Sequence, residues 1–137
     1  MESNSVRPTA APSVSIVTAA RNAQTFIAEC VESVLAQTWS DFEFIIVDDG
    51  STDQTLSMIT SFSDPRIRVL SLPTSVGPCK ARNHAISKTM GRFIAILDAD
   101  DVAHKERLAR QVKFLEENSR CGAVGSWAKV FGGYETV

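Results

Sequence analysis

No stretch of this chain stays apolar for the ~20 residues that a membrane-crossing helix needs. The opening residues, MESNSVRPTAAPS, lack the apolar centre of a secretion signal. Charge of one sign is also missing: 14 basic against 16 acidic residues leave a net charge of −2. That balance, with the basic residues spread out, offers no surface for nucleic acid or anionic lipid. Cysteine is scarce, and Cys30, Cys79 and Cys121 stand far apart without CxxC spacing or a Cys/His pairing of zinc-site type. They read as free thiols of a reducing compartment. No GxGxxG follows the first apolar segment, which argues against a dinucleotide-binding domain. Internal repeats, linkers and low-complexity tracts are absent as well.

What is present is an ordinary globular composition, 44% hydrophobic and 22% charged over 137 residues, enough for one domain with a real core. Pro8 and Pro12 among small polar residues mark residues 1–13 as a disordered lead-in, with one domain over 14–137. Val14–Thr18 (VSIVT) is short and β-branched, as in a buried strand. Asn22 is placed to cap a helix carrying Ile27, Val31, Val34 and Leu35 and ending near Gln37. Phe42–Asp48 reads as a second strand, and Thr52 or Asp53 can cap a helix with Leu56, Ile59 and Phe62. Ile67–Leu72 is a third strand, followed by a helix over Lys80–Met90 closed by Gly91. RFIAILD is a fourth strand, with a helix over 103–118 and a fifth strand in CGAVGSWAKVF after it. Trp39 and Trp127 are expected to bury against the sheet. Such alternation predicts an α/β fold with a mostly parallel sheet covered on both faces.

The fourth strand runs into charge. FIAILDADD, Phe93 to Asp101, places three carboxylates within four positions. Two carboxylates about 5 Å apart repel by roughly 3 kcal/mol at an effective dielectric of ~20, so the cluster calls for a cationic partner. Magnesium or manganese suits it, since each takes one or two carboxylates together with substrate phosphates. In extended backbone Asp98 and Asp100 point to one side, so one can bind the ion and the other a water ligand or a sugar hydroxyl. Asp101 is placed to cap the following helix. Asp48 and Asp49 end the second strand, and open α/β sheets bind ligands at the carboxyl ends of their strands. The two acidic strand ends therefore read as parts of one site. His84 and His104 read mainly as surface or core residues, with His104 close enough to the acidic turn to approach an ion or phosphates.

Taken in order, VSIV with Asn22, Gln37-Thr38, FEFIIVDDGSTDQT, GPCKARNHAI and FIAILDADD resemble the nucleotide-sugar-binding half of family 2 inverting glycosyltransferases, over about residues 13 to 130. The resemblance implies a GT-A fold, a Rossmann-like three-layer sandwich present here in truncated form. It implies that Asp49 meets the nucleobase edge, that Asp98 lies near the ribose, and that Asp100 coordinates a Mg²⁺ or Mn²⁺ bridging the diphosphate. Arg82 and Asn83 match a pattern that lines the nucleotide pocket. Ala19-Ala20-Arg21 departs from the family, which tends to have Pro, a small hydroxyl residue and Tyr there. Arg21 can stack on the base or bind phosphate in place of the lost aromatic, and Lys105 stands where a helix-starting proline is common.

The implied reaction is transfer of a sugar, UDP-linked by expectation, to the hydroxyl of an acceptor glycan or a lipid-linked sugar. The carboxylate base is expected beyond residue 137, since Glu135 is the sole acid after Glu117 and nothing around it resembles a base motif. The chain thus reads as a donor-binding half, cytoplasmic, membrane-associated in a full-length protein, and prone to homodimerise through uncovered sheet. Two other readings compete. One is a nucleotide-sugar-binding module without turnover. The other is a haloacid-dehalogenase-type phosphatase, with Asp98 as nucleophile and Asp100 as general acid, although that motif belongs on a first strand and here lies on the fourth.

Overall fold

The computed structural model describes residues 11–131. Four strands alternate with four helices: β1 Val14–Ala20, α1 Ile27–Leu35, β2 Phe42–Asp49, α2 Thr55–Thr60, β3 Ile67–Leu72, α3 Pro78–Ile86, β4 Phe93–Ile96 and α4 Arg107–Glu117. All strand pairs are parallel, in the order β3-β2-β1-β4. The central strands lack polar alternation because both of their faces are covered. Phe42, Phe44 and Ile46 of β2 join Ile27, Val31 and Val34 of α1 in the larger core, with Ile59 of α2 and Leu108 and Val112 of α4. Ile45 and Val47 point the other way and meet Ala81 and Ala85 of α3. Small alanines let α3 sit close to the sheet. The result is the expected three-layer α/β arrangement.

One charged residue is buried at the amino-terminal side of this sheet. Glu43, 5% exposed, accepts hydrogen bonds from Ser15 Oγ at 2.6 Å, Met90 N at 2.6 Å and Arg68 Nη1 at 2.8 Å. Burial raises its carboxyl, and the three donors with the Arg68 charge outweigh that and hold it below the usual range. A carboxyl depressed by folding contributes stability above its unfolded pKa of about 4.3, lost as pH falls through the lower folded value. Arg68→Ala is therefore expected to cost about 2 kcal/mol at neutral pH, because Glu43 stays buried with one partner fewer. The deficit should shrink as Glu43 protonates, which urea melts at neutral pH and near pH 3 would show.

Several element boundaries differ from expectation, each for a local reason. Asn22 does not cap α1, which starts only at Ile27; its backbone is left-handed (φ 49°) and its side chain serves another loop. Asp53 does act at the start of α2, accepting from Thr55 N at 2.9 Å. The helix expected over Lys80–Met90 instead begins at Pro78 and ends at Ile86. Gly91 closes no helix: it marks where the chain passes under β1, and a Cβ there would lie 2.5 Å from Ser15 N. α4 begins at Arg107, so Asp101 caps nothing.

No strand forms in the described part of the CGAVGSWAKVF segment, and Trp127, Val130 and Phe131 are exposed rather than packed. A strand needs a hydrogen-bonded neighbour, and this segment joins no ladder of the sheet. Trp39, by contrast, packs against the larger core and donates to Ser13 Oγ at 2.9 Å. Glu135 and most of the expected disordered lead-in fall outside the described residues. No helix among the described residues is long and apolar enough to cross a membrane.

Candidate functional site

In a parallel sheet of order β3-β2-β1-β4, the chain runs outward from β1 through β2 to β3 and then returns to β1's other side with β4. The crevice at such a switch point, outside the carboxyl ends of the strands, is the natural ligand site. A cavity of about 620 Å³ lies there. Ala19 and Ala20 from the end of β1, Asp49 from the end of β2, and Asp98 and Asp100 beyond β4 all line it, with Arg21 and Arg82. The two acidic strand ends thus share one cavity. Asn83, exposed on α3, does not line it.

Asp49 is 2% exposed, and its carboxylate is already engaged with the loop before α3. It accepts from Ser75 Oγ at 2.7 Å, Val76 N at 2.7 Å and Gly77 N at 3.0 Å. Burial alone raises this carboxyl; the donors from Val76, Ser75 and Gly77, then the charge of Arg21, outweigh it and hold it low. Gly50 makes the close approach possible, since at its φ of 64° a Cβ would strike Ser75 N at 2.7 Å.

Beyond Ile96 the backbone leaves the extended form, and Asp98 to Asp101 fold into a turn closed by Asp101 N donating to Asp98 O at 3.1 Å. Extended geometry therefore does not align Asp98 with Asp100, yet both line the cavity. Part of the missing positive partner proves to be protein. Arg82 Nη2 donates to Asp98 Oδ1 at 2.5 Å, and its buried Nε has no partner. Burial raises the Asp101 carboxyl, and repulsion from Asp100 and then Asp98 adds to it against the opposing pull of Arg107. Below the turn, Cys30 sits with Sγ 3.5 Å from Asp98 O, its thiol pushed up to about 12 by burial and then by the three aspartates. All three cysteines are unpaired.

The loops after β1 and β2 are laced together. Asn22 Oδ1 accepts from Thr52 N at 2.9 Å, Ser51 Oγ accepts from Asn22 N at 3.0 Å, and Thr55 Oγ1 accepts from Ala23 N at 2.8 Å. A left-handed asparagine at a cavity wall is a local strain held by its surroundings. Phe26 is a wall residue that the sequence did not single out; it lines the cavity 51% exposed, at the N-cap of α1.

Hard carboxylate oxygens fit Mg²⁺ or Mn²⁺, and Asp100 is exposed on the cavity. Among the described residues no group of three or more His, Cys, Asp or Glu is arranged to hold an ion by itself. Any ion must then draw most of its ligands from water and from a bound phosphate compound, as magnesium sites commonly do.

The family model described as Glycosyl transferase family 2 matches residues 15–136. The chain belongs to glycosyl transferase family 2. Among its curated relatives is the UDP-Glc:alpha-D-GlcNAc-diphosphoundecaprenol beta-1,3-glucosyltransferase WfgD of Escherichia coli, 35% identical over 90% of this chain and 46% of its own length. Staphylococcal TarS (S. aureus), solved with UDP-GlcNAc, superposes with a TM-score of 0.74 and 32% identity over 78% of this chain and 32% of that one. The mannosyltransferase PcManGT of Pyrobaculum calidifontis, solved with GDP-Man and Mn²⁺, gives 0.70 and 26% over 78% and 33%. The chain spans less than half the length of these relatives. The acidic cavity lies within the part of the chain that the family model matches.

Proposed function

We propose that this chain binds the donor of an inverting sugar transfer, a UDP-sugar held with Mg²⁺ or Mn²⁺. The observation that carries the reading is the convergence of Asp49, Asp98, Asp100, Arg21 and Arg82 on one cavity at the sheet's switch point. A carboxylate has about four lone-pair sites. Three at Asp49 take the Ser75, Val76 and Gly77 donors, which leaves one for a nucleobase N–H. Arg21, whose charge is felt at Asp49, stacks on the base, with Phe26 as apolar wall. Asp98 faces the ribose, and Arg82, with its unpartnered Nε, serves the ribose-phosphate side. Asp100 would hold the cation, which when bound neutralises the charge growing on the departing diphosphate as a Lewis acid. An inverting transfer also needs a carboxylate base for the acceptor hydroxyl, and no described residue is assigned that role.

UDP as the nucleotide draws support from TarS and WfgD, and a lipid-linked or glycan acceptor from the diphosphoundecaprenol compound in WfgD's name. Self-association of the chain is supported by the outer edge of β4, which no strand among the described residues pairs and where Ile94 and Ile96 are exposed, although Arg107 Nη2 donates to Ile96 O. Calorimetric titration with UDP is the direct test. Binding is expected to be at least about tenfold tighter with Mn²⁺ present, a difference of about 1.4 kcal/mol. Failure of UDP and GDP alike to bind, with or without metal, would overturn the reading.

A further inference from the structure

The segment from Asp98 to Glu106 that carries Asp100 contains no helix or strand, so something other than regular structure must hold it. Its near end hangs from β4, where Thr18 Oγ1 donates to Leu97 O at 2.8 Å. Its far end is gripped by the close of α1. Gln37, one residue past the C-cap of α1, is only 7% exposed. Its Nε2 donates to Ser33 O at 3.2 Å and to His104 O at 2.9 Å, while its Oε1 accepts from Leu108 N at 3.1 Å.

Those three partners leave no ambiguity in the amide's orientation: two carbonyls require the NH₂ end and one N–H requires the oxygen. Ser33 O is an orphan acceptor of α1's last turn, and Leu108 N is an orphan donor of α4's first turn. One buried amide therefore caps the end of one helix and the start of another, 71 positions apart in sequence for the Leu108 bond. α4 has no capping side chain of its own. Two further bonds run beside it: Lys105 O accepts from Thr38 N at 2.8 Å, and Ser33 Oγ accepts from Ala103 N at 3.0 Å.

We infer that Gln37 is the positioning residue of the Asp100 loop, acting through the backbone of residues 104 and 108 to set metal-dependent donor binding. The inference rests on the donor-site reading given under Proposed function. A strand end cannot fix a nine-residue excursion at its far side; Gln37 supplies that second anchor, and with it the place of the Asp100 carboxylate over the cavity. Groups that orient a metal ligand without touching the metal commonly change metal affinity 10- to 100-fold when removed.

The experiment is UDP titration of the whole chain at a series of Mn²⁺ concentrations and without metal, with melting temperature recorded in parallel. Gln37→Met keeps the volume and removes all three bonds. It is expected to raise the Mn²⁺ concentration for half-maximal UDP binding about 10- to 100-fold, leaving metal-free UDP binding unchanged. Ser33→Ala, which removes the Ala103 anchor and a bond within α1 to Cys30 O while leaving Gln37 in place, should shift it less and in the same direction, and stands in should Gln37→Met not fold. Ile59→Val, in the core away from the loop, should lower the melting temperature with the wild-type Mn²⁺ dependence intact; that separates positioning from stability. If Gln37→Met and Ser33→Ala both keep the wild-type Mn²⁺ dependence, the inference is wrong while the donor site stands. If the wild-type chain shows no Mn²⁺ dependence, the metal assignment fails and takes this inference with it.

Discussion

Asp100→Ala is expected to abolish Mn²⁺-assisted binding of UDP while leaving the fold intact. Asp100 is exposed on the cavity, so its removal strips no core. No cluster of three or more ligating side chains exists among the described residues to take over the ion. Loss of a supporting group costs about 10- to 100-fold in metal affinity, so loss of the ligand itself should exceed about 100-fold. Asp101→Ala is the informative contrast. That carboxylate neither caps α4 nor has a hydrogen-bonding donor, and it is repelled by Asp98 and Asp100. Its removal should change stability by no more than about 0.5 kcal/mol, the range of an ordinary surface substitution. Calorimetry on both variants with and without Mn²⁺ decides the matter: equal nucleotide affinity in wild type and Asp100→Ala at saturating metal would show that the ion binds elsewhere.

Asp49→Ala should do more harm, and of two kinds. Its carboxylate is buried and answers three donors of residues 75–77, which the substitution would leave without a partner. Leaving a fully buried donor unsatisfied costs roughly 1–3 kcal/mol, and these part-buried donors cost less because water reaches them. With partial rescue by water in the emptied space, a loss of about 3 kcal/mol in stability is the expected net effect. UDP binding should fall below detection as well, because Asp49 itself lines the cavity and the loop it tethers leads into Pro78 and Cys79, which line it too. The pH dependence carries a sign. Folding depresses the Asp49 carboxyl, so its stabilisation is present above the unfolded value of about 3.9 and is lost as pH falls through the lower folded value. The Asp49→Ala deficit should therefore narrow in acid. A variant as stable as wild type at neutral pH would show that the 75–77 loop does not depend on this carboxylate.

Much of this was legible in the residues. β3 runs from Ile67 to Leu72 as read, because Pro65 and Pro73 bracket an apolar stretch with no competing period. The shared acidic edge followed from strand ends and parallel order alone. Helix starts were poorly legible, because the capping signals were misplaced: Asn22, Asp101 and Gly91 each have the chemistry of a helix terminus, yet Asn22 and Gly91 serve long-range contacts and Asp101 closes a local turn through its backbone N–H. Gln37 and Glu43 were invisible as anchors, since an amide or a carboxylate in the sequence says nothing of partners 71 or 25 positions away. The CGAVGSWAKVF segment has the composition of a strand, and composition cannot supply the neighbour a strand requires.

The position of β4 has a consequence for how this site can move. Among the described residues it is the shortest strand, four residues long, and it is bonded to the sheet only through β1. β1 and β2 are each held on both sides. Local opening is drawn from elements with few protected hydrogen bonds, and β4 is the least protected rung of this sheet. Its amides should be the first of the sheet to exchange with solvent, so the carboxylate turn can part from the Asp49 wall in an excursion far smaller than unfolding. The wall built on β2 is tied to the most stable part of the domain, whereas the acidic turn hangs from the least. A donor that touches both would close that gap, and its grip would be measured by how far it slows exchange along Phe93–Ile96.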